Sequence, residues 1–185
     1  MRSRKPLSPL DEDSLYLYAV KLLGQQMRTV AEVKRLLRRR VEPGEAGEAR
    51  IDAVVARLKE RRYLDDAGYA QDYAKLRQEN ASLGRRRVQQ DLMHKGVPTE
   101  VIAKTLDAAY AGVSEEELAR RHLERKRIRK PGNEKETARV ARLLMRAGFS
   151  TGAIVRILKK WDVDESALTA IESGEDPAQH GGESE

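Results

Sequence analysis

Clustered arginines are the residues of this chain best suited to chemistry with a partner. Arg38-Arg39-Arg40, Arg61-Arg62, Arg85-Arg86-Arg87, the basic run over residues 120–130 and Lys159-Lys160 gather cations at element ends or along helix faces. A guanidinium offers a planar fork of donors that suits phosphate and carboxylate alike. The plainer use of each cluster is a solvated helix face, or a pair with a local acid such as Asp91 near residues 85–87. Interleaved aromatics are few, with six Tyr, one Trp and one Phe in 185 residues, and most tyrosines fall on apolar faces. Stacking on exposed bases is therefore not expected. No helix gathers Asn, Gln and Arg at a consistent base-reading spacing.

Groups for catalysis or metal binding do not assemble. His94, His122 and His180 are scattered, and no pair has ligand spacing. Gly44-Glu45-Ala46-Gly47 lacks the Lys-Ser/Thr continuation of a phosphate loop. Asp65-Asp66 could take a cation, but a helix N-cap accounts for it. There is no cysteine, which excludes disulfides and thiolate metal sites and suits a reducing cytoplasm. No cofactor, metal or enzymatic activity is expected. The start, Met1-Arg2-Ser3-Arg4-Lys5-Pro6, is basic without the apolar stretch of a signal peptide, and no apolar run is long enough to span a bilayer. A soluble cytoplasmic protein is expected, with no membrane partner. Formal net charge is +6, although residues 172–185 hold five acids and no Lys or Arg. The body before that tail is more basic still, and fits a polyanion or an acidic protein surface.

The elements that must carry these charges read as helices throughout. Leu15, Tyr18, Ala19, Leu22 and Leu23 follow helical spacing. Thr29 with Glu32 forms a capping box ahead of Val30, Val33, Leu36 and Leu37. Ile51, Val54, Val55 and Leu58 mark a third helix. After the Asp65-Asp66 cap, Tyr69, Ala70, Tyr73 and Leu76 form an inward face. Val88 and Leu92 follow Gly84; Gly96 closes that helix, and Pro98 opens one burying Ile102, Leu106, Ala109 and Tyr110. Ser114 with Glu117 starts a basic helix read as continuing to Pro131-Gly132. Asn133 with Glu136 caps the next, carrying Ala138, Ala141, Leu144 and Met145. Gly148 closes it, and Ser150 or Thr151 opens the last, with Ile154, Val155, Leu158 and Trp161. One or two further turns are expected over residues 164–170. No β-alternation of useful length occurs.

These helices repeat. Arg87-Val88 through Leu106 matches Arg139-Val140 through Leu158 at a constant offset of 52 residues, pairing Leu92 with Leu144, Gly96 with Gly148 and Ile102 with Ile154. A weaker copy lies upstream, in Leu36-Leu37, Ile51, Val55 and Leu58. Tandem reuse of one unit predicts an all-α chain of three tandem three-helix repeats forming an elongated, curved rod. The expected spans are a flexible basic arm over 1–12, repeats over 13–62, 63–112 and 113–163, and a short helix with an acidic disordered tail over 164–185.

From Leu15 to Trp161 the chain resembles the RecX family, regulators of the RecA recombinase. The most specific piece is Tyr63-Leu64-Asp65-Asp66-Ala67-Gly68-Tyr69-Ala70, followed by Arg77, Gly84 with Arg87-Val88, and Leu92, Lys95, Gly96 and Val97. Two departures stand out. Arg62 occupies a position where glycine is usual, and the loop over residues 41–47 is long. The repeat pattern leads us to expect a monomer, with weak direct DNA contact beside its main partner. The resemblance implies that it binds the groove of the RecA filament on single-stranded DNA and suppresses its ATPase, recombinase and coprotease activities. Direct non-specific DNA binding through phosphates is the alternative. Partner-binding candidates are Arg77, Arg85, Arg86, Arg87 and Lys95, where the resemblance is fullest, and Arg125, Lys126 and Arg127 in the basic run. Three arginines at the start of a helix oppose its macrodipole, at a cost of a few tenths of a kcal/mol. An acidic partner would offset that cost.

Overall fold

The computed structural model describes residues 9–173. Among them there are ten α-helices and no strand: α1 (Glu12–Leu23), α2 (Val30–Leu37, continued by a 3-10 turn at Arg38–Arg40), α3 (Glu45–Glu60), α4 (Asp66–Ala81), α5 (Arg85–His94), α6 (Thr99–Ala109), α7 (Glu115–Arg125), α8 (Glu134–Arg146), α9 (Thr151–Lys159) and α10 (Glu165–Ser173). The chain is an all-α helical repeat, with α1–α3, α4–α6 and α7–α9 in the order the 52-residue offset implies. Residues 1–8 and 174–185, which hold most of the expected arm and tail and His180, lie outside the described residues. Leu10 N–H already donates to the Arg40 carbonyl at 2.8 Å, so ordered chain begins within the span read as an arm.

Two compact units divide the chain: Met1–Asp72 with Leu92–Thr105, and Tyr73–Asp91 with Leu106–Glu185. The first is built on Leu15, Ala19, Val33, Leu37, Ile51, Val54 and Leu58, with Leu64 at its edge. The second is built on Leu118, Leu123, Leu144, Phe149, Ile154 and Leu158, joined by Leu168 and Ile171 of α10. Burial of such aliphatic side chains contributes about 1.5–3 kcal/mol each.

Caps set the helix starts. Asp11 accepts the Ser14 N–H, and Thr29 and Glu32 form a complete capping box. Ser114, Asn133 and Ser150 each accept the N–H three residues on. At Asp65-Asp66 the work is divided. Asp65 Oδ1 accepts the Ala67 N–H at 2.9 Å and caps α4, while Asp66 Oδ1 accepts the Val30 N–H at 2.9 Å and caps α2 from a distance in sequence. Burial holds the Asp66 carboxyl above the usual aspartate range.

Helix ends follow one rule five times. A buried leucine is followed four residues later by a residue with positive φ, then by an apolar or aromatic residue: Leu58–Arg62–Tyr63, Leu92–Gly96–Val97, Leu123–Arg127–Ile128, Leu144–Gly148–Phe149 and Leu158–Asp162–Val163. In each, the last residue's N–H donates to the leucine carbonyl, as between Tyr63 and Leu58 at 2.9 Å and Ile128 and Leu123 at 3.0 Å. This is a Schellman turn. Arg62 therefore makes the turn that glycine would make, with φ of 58°. The same turn corrects the reading of the basic run. That helix ends at Arg125, not at Pro131, because Arg127 turns left-handed at φ 54° and Ile128 folds back toward the core.

Two inward assignments are also corrected. Leu76 is exposed: the buried stripe of α4 runs through Ala70 and Ala74, and two residues beyond Ala74 is roughly the opposite face at about 100° per residue. Met145, one residue past the buried Leu144, is likewise exposed. Leu64 and Tyr69 are buried, and Tyr73 is half-buried.

Within each unit, consecutive repeats meet at an equivalent joint. In the first, Thr29 Oγ1 donates to the Lys95 carbonyl at 2.6 Å, and a Cβ on Gly96 (φ 75°) would stand 2.4 Å from the Ala31 methyl. In the second, the Gly84 N–H donates to the Ala147 carbonyl at 2.8 Å, and a Cβ on Gly148 (φ 89°) would stand 2.3 Å from the Arg87 nitrogen.

Candidate partner-binding surface

The first turns of α5 and the middle of α4 bring four candidate arginines into the second unit. The sharp break at Gly84 starts α5, so Arg85, Arg86 and Arg87 project from its first turn while Val88 turns inward. The Arg77 guanidinium lies over the Tyr73 ring, 4.7 Å from its centroid. Tyr73 donates its hydroxyl to Asp91 Oδ2 at 3.0 Å, and Arg87 Nε donates to Asp91 Oδ1 at 3.0 Å. Asp91 thus ties Arg87 directly, and Arg77 through Tyr73. Burial raises the Tyr73 hydroxyl above its usual pKa, which keeps it a donor. Arg85 donates to Asp107 of α6 at 2.6 Å. Arg86 is exposed, and its side chain has no ion pair or hydrogen bond among the described residues.

Such exposed pairs add little stability, roughly 0–1 kcal/mol each. Their consequence is geometric. Two aspartates and the Tyr73 ring orient three arginines, and with the exposed Arg86 they leave a positive surplus on this stretch. Rigid, pre-oriented forks lose less entropy when they meet an acceptor.

The other candidates separate from this group. Lys95 belongs to the first unit. Its carbonyl takes the Thr29 hydroxyl and its ammonium reaches Glu32 at 3.2 Å. A hydrogen bond with Tyr69, then Glu32, holds its pKa above the usual lysine value. Lys95 therefore has a structural task at the joint. Arg125 donates to the carbonyls of Glu79 and Asn80 at 2.6 and 2.7 Å, satisfying the end of α4. Lys126 and Arg127 are exposed and without partners among the described residues. The sequence reading missed Tyr73 and Asp107 as organisers of the surface. Asp91 at i+4 from Arg87 is a legible signal, whereas Asp107, 22 residues from Arg85, is not.

No cluster among the described residues could hold a metal ion, and no described helix is long and apolar enough to cross a membrane. His122 is buried, with Nδ1 2.8 Å from the Ala81 carbonyl and its ring edge-on to Phe149. It is packed as a core residue.

The chain is similar to known proteins. The model describing RecX, second three-helix domain, matches residues 65–106, which include Arg77 through Lys95. A regulatory protein RecX of Myxococcus xanthus is 36% identical over 173 residues, covering 85% of this chain and 91% of the relative. A regulatory protein RecX of Leptothrix cholodnii is 32% identical over 144 residues, covering 78% and 87%. The crystal structure of RecX from Lactobacillus salivarius superposes with a TM-score of 0.63 at 22% identity, over 82% of this chain and 97% of that one, and so shares its fold. With these helices, this signature and these relatives, the chain belongs to the RecX family of regulatory proteins.

Proposed function

We propose that this chain, acting as a cytoplasmic monomer, binds the RecA filament on single-stranded DNA and restrains its ATPase, recombinase and coprotease activities. The observation that supports this reading is the arginine set of the second repeat: Arg77, Arg85 and Arg87 oriented by local partners, with Arg86 exposed and its side chain unpaired among the described residues. Fixed guanidiniums with surplus charge suit carboxylates on a protein surface. Lys126 and Arg127 add positive charge that steers an acidic, DNA-bearing filament. Arg125 contributes charge while its guanidinium secures α4.

The test is the Arg85→Ala, Arg86→Ala double variant in an assay of RecA ATP hydrolysis on single-stranded DNA. Losing two charge-assisted contacts should raise the inhibitory concentration about tenfold or more, with the melting curve little changed. A folded double variant that inhibits at the wild-type concentration would place the partner surface elsewhere.

A further inference from the structure

The chain leaving α7 and the middle of α8 line an open cavity of about 280 Å³ within the second unit. Ile128 and Val140 contribute to an apolar floor. Arg127, Arg129, Lys130 and Arg139 stand around it, against one carboxylate, Glu136. Glu136 is already engaged, accepting the Gly132 N–H at 2.8 Å. Lys130 reaches Asp162 at 3.5 Å, with both side chains mostly in water. The side chains of Arg127, Arg129 and Arg139 make no hydrogen bond or ion pair among the described residues.

The backbone beneath these arginines is fixed. Arg127 is the left-handed residue of a Schellman turn, Ile128 packs on the core, Pro131 is buried, and Arg139 sits on α8 beside the buried Val140. Three arginines with unpaired side chains thus line one concavity. Like charges so placed repel one another unless an anion joins them.

We infer that this cavity is a phosphate-binding site. A carboxylate brings two oxygens and one charge, too few for three forks. A phosphate brings more oxygens and up to two charges, and can bridge several guanidiniums at once. No aromatic residue lines the cavity, so it recognises the phosphate and its sugar rather than a base. The volume falls just under the range of about 300–1,000 Å³ typical for larger ligands, which matches one phosphate with its sugar. The phosphate belongs either to a nucleic-acid strand or to a free phosphate compound. This site shares Arg127 with the RecA reading but does not rest on it, since Arg129 and Arg139 belong to the cavity alone.

The experiment titrates wild type and an Arg129→Gln, Arg139→Gln variant by calorimetry. The probes are inorganic pyrophosphate, a single-stranded oligonucleotide and polyglutamate. Wild type should bind pyrophosphate, and the variant should bind it at least about tenfold more weakly. The Arg85→Ala, Arg86→Ala variant should bind it like wild type, which separates failure of this site from failure of the partner surface. Oligonucleotide binding that pyrophosphate competes away assigns the strand as source. Pyrophosphate binding without oligonucleotide binding assigns a free phosphate compound. Both uphold the site. It is overturned if no phosphate probe binds wild type at millimolar concentration, if polyglutamate binds as tightly as pyrophosphate, or if the variant binds like wild type. Should the glutamine variant unfold, Arg129→Lys, Arg139→Lys keeps the charge without the forks. Weaker pyrophosphate binding by that folded variant supports the site, and unchanged binding overturns it.

Discussion

The two joints between consecutive repeats follow the same chain path with different chemistry. In the first unit a side chain bridges the gap, with the Thr29 hydroxyl on the Lys95 carbonyl and Gly96 against a methyl. In the second, backbone meets backbone: the Gly84 N–H reaches the Ala147 carbonyl, and Gly148 lies against the Arg87 nitrogen. The Thr29 hydroxyl can re-aim by rotation about its χ1, and a Cβ on Gly96 would press on one methyl carbon alone. A Cβ on Gly148 would meet the nitrogen, Cα and Cβ of Arg87 within 3 Å, so the second joint should tolerate change less well.

The sharpest break is Gly148→Ala. It combines a left-handed φ with a clash against backbone, and should destabilise by about 2–6 kcal/mol in denaturant unfolding. Gly96→Ala meets only the Ala31 methyl and should cost about 1–4 kcal/mol. Equal losses would mean that the two joints yield alike and that the distinction is unfounded.

Thr29→Ala should be next, at about 1–3 kcal/mol, because it removes half of a capping box and leaves the Lys95 carbonyl without its donor. Thr29→Ser should recover most of that in the same thermal melt. If Thr29→Ala melts with wild type, the hydroxyl does not seal the first joint.

A third difference is alkaline sensitivity. In the second unit, burial pushes the Tyr110 hydroxyl up to about 12, while it donates to the Leu83 carbonyl at 2.9 Å. A folded pKa above the unfolded value of about 10 gives stability that is complete below that value and lost as pH rises through the folded one. Tyr110→Phe should cost about 0.5–1.5 kcal/mol at neutral pH and should abolish that part of the alkaline loss. Parallel stability–pH curves for the two proteins would rule this out.

The smallest effect has the opposite sign. Arg62→Gly removes left-handed strain from the Schellman turn after α3 and should stabilise by about 0.5–1 kcal/mol. A loss of stability would show that the Arg62 side chain, at the edge of the first unit, has a task of its own.

Much of this was legible in local pattern. The capping box at Thr29 and Glu32, the caps at Ser114, Asn133 and Ser150, and the turns at Gly96 and Gly148 involve partners within six residues, so spacing specifies them. The end of α7 was not read, because arginine seldom takes a left-handed φ and Arg127 looks like helix interior. The spacing of Leu76 fits an inward position, but the small Ala70 and Ala74 set the buried stripe of α4. Of the candidate surface, residue identity gave the charges but not their commitments.

The sequence by itself determined the helices, their repeat at 52 residues and the excess of arginine, since each depends on neighbours a few positions apart. The tertiary structure alone decided which cations are already occupied. Arg125 is drawn to Glu79 and Asn80, Lys95 to Glu32 and Tyr69, and Arg85 to Asp107. Arg86, Arg127, Arg129 and Arg139 keep open forks among the described residues. The physical reason is that a cation engages whatever acceptor lies within a few ångströms, and for the occupied ones that acceptor comes from another helix tens of residues away in the chain.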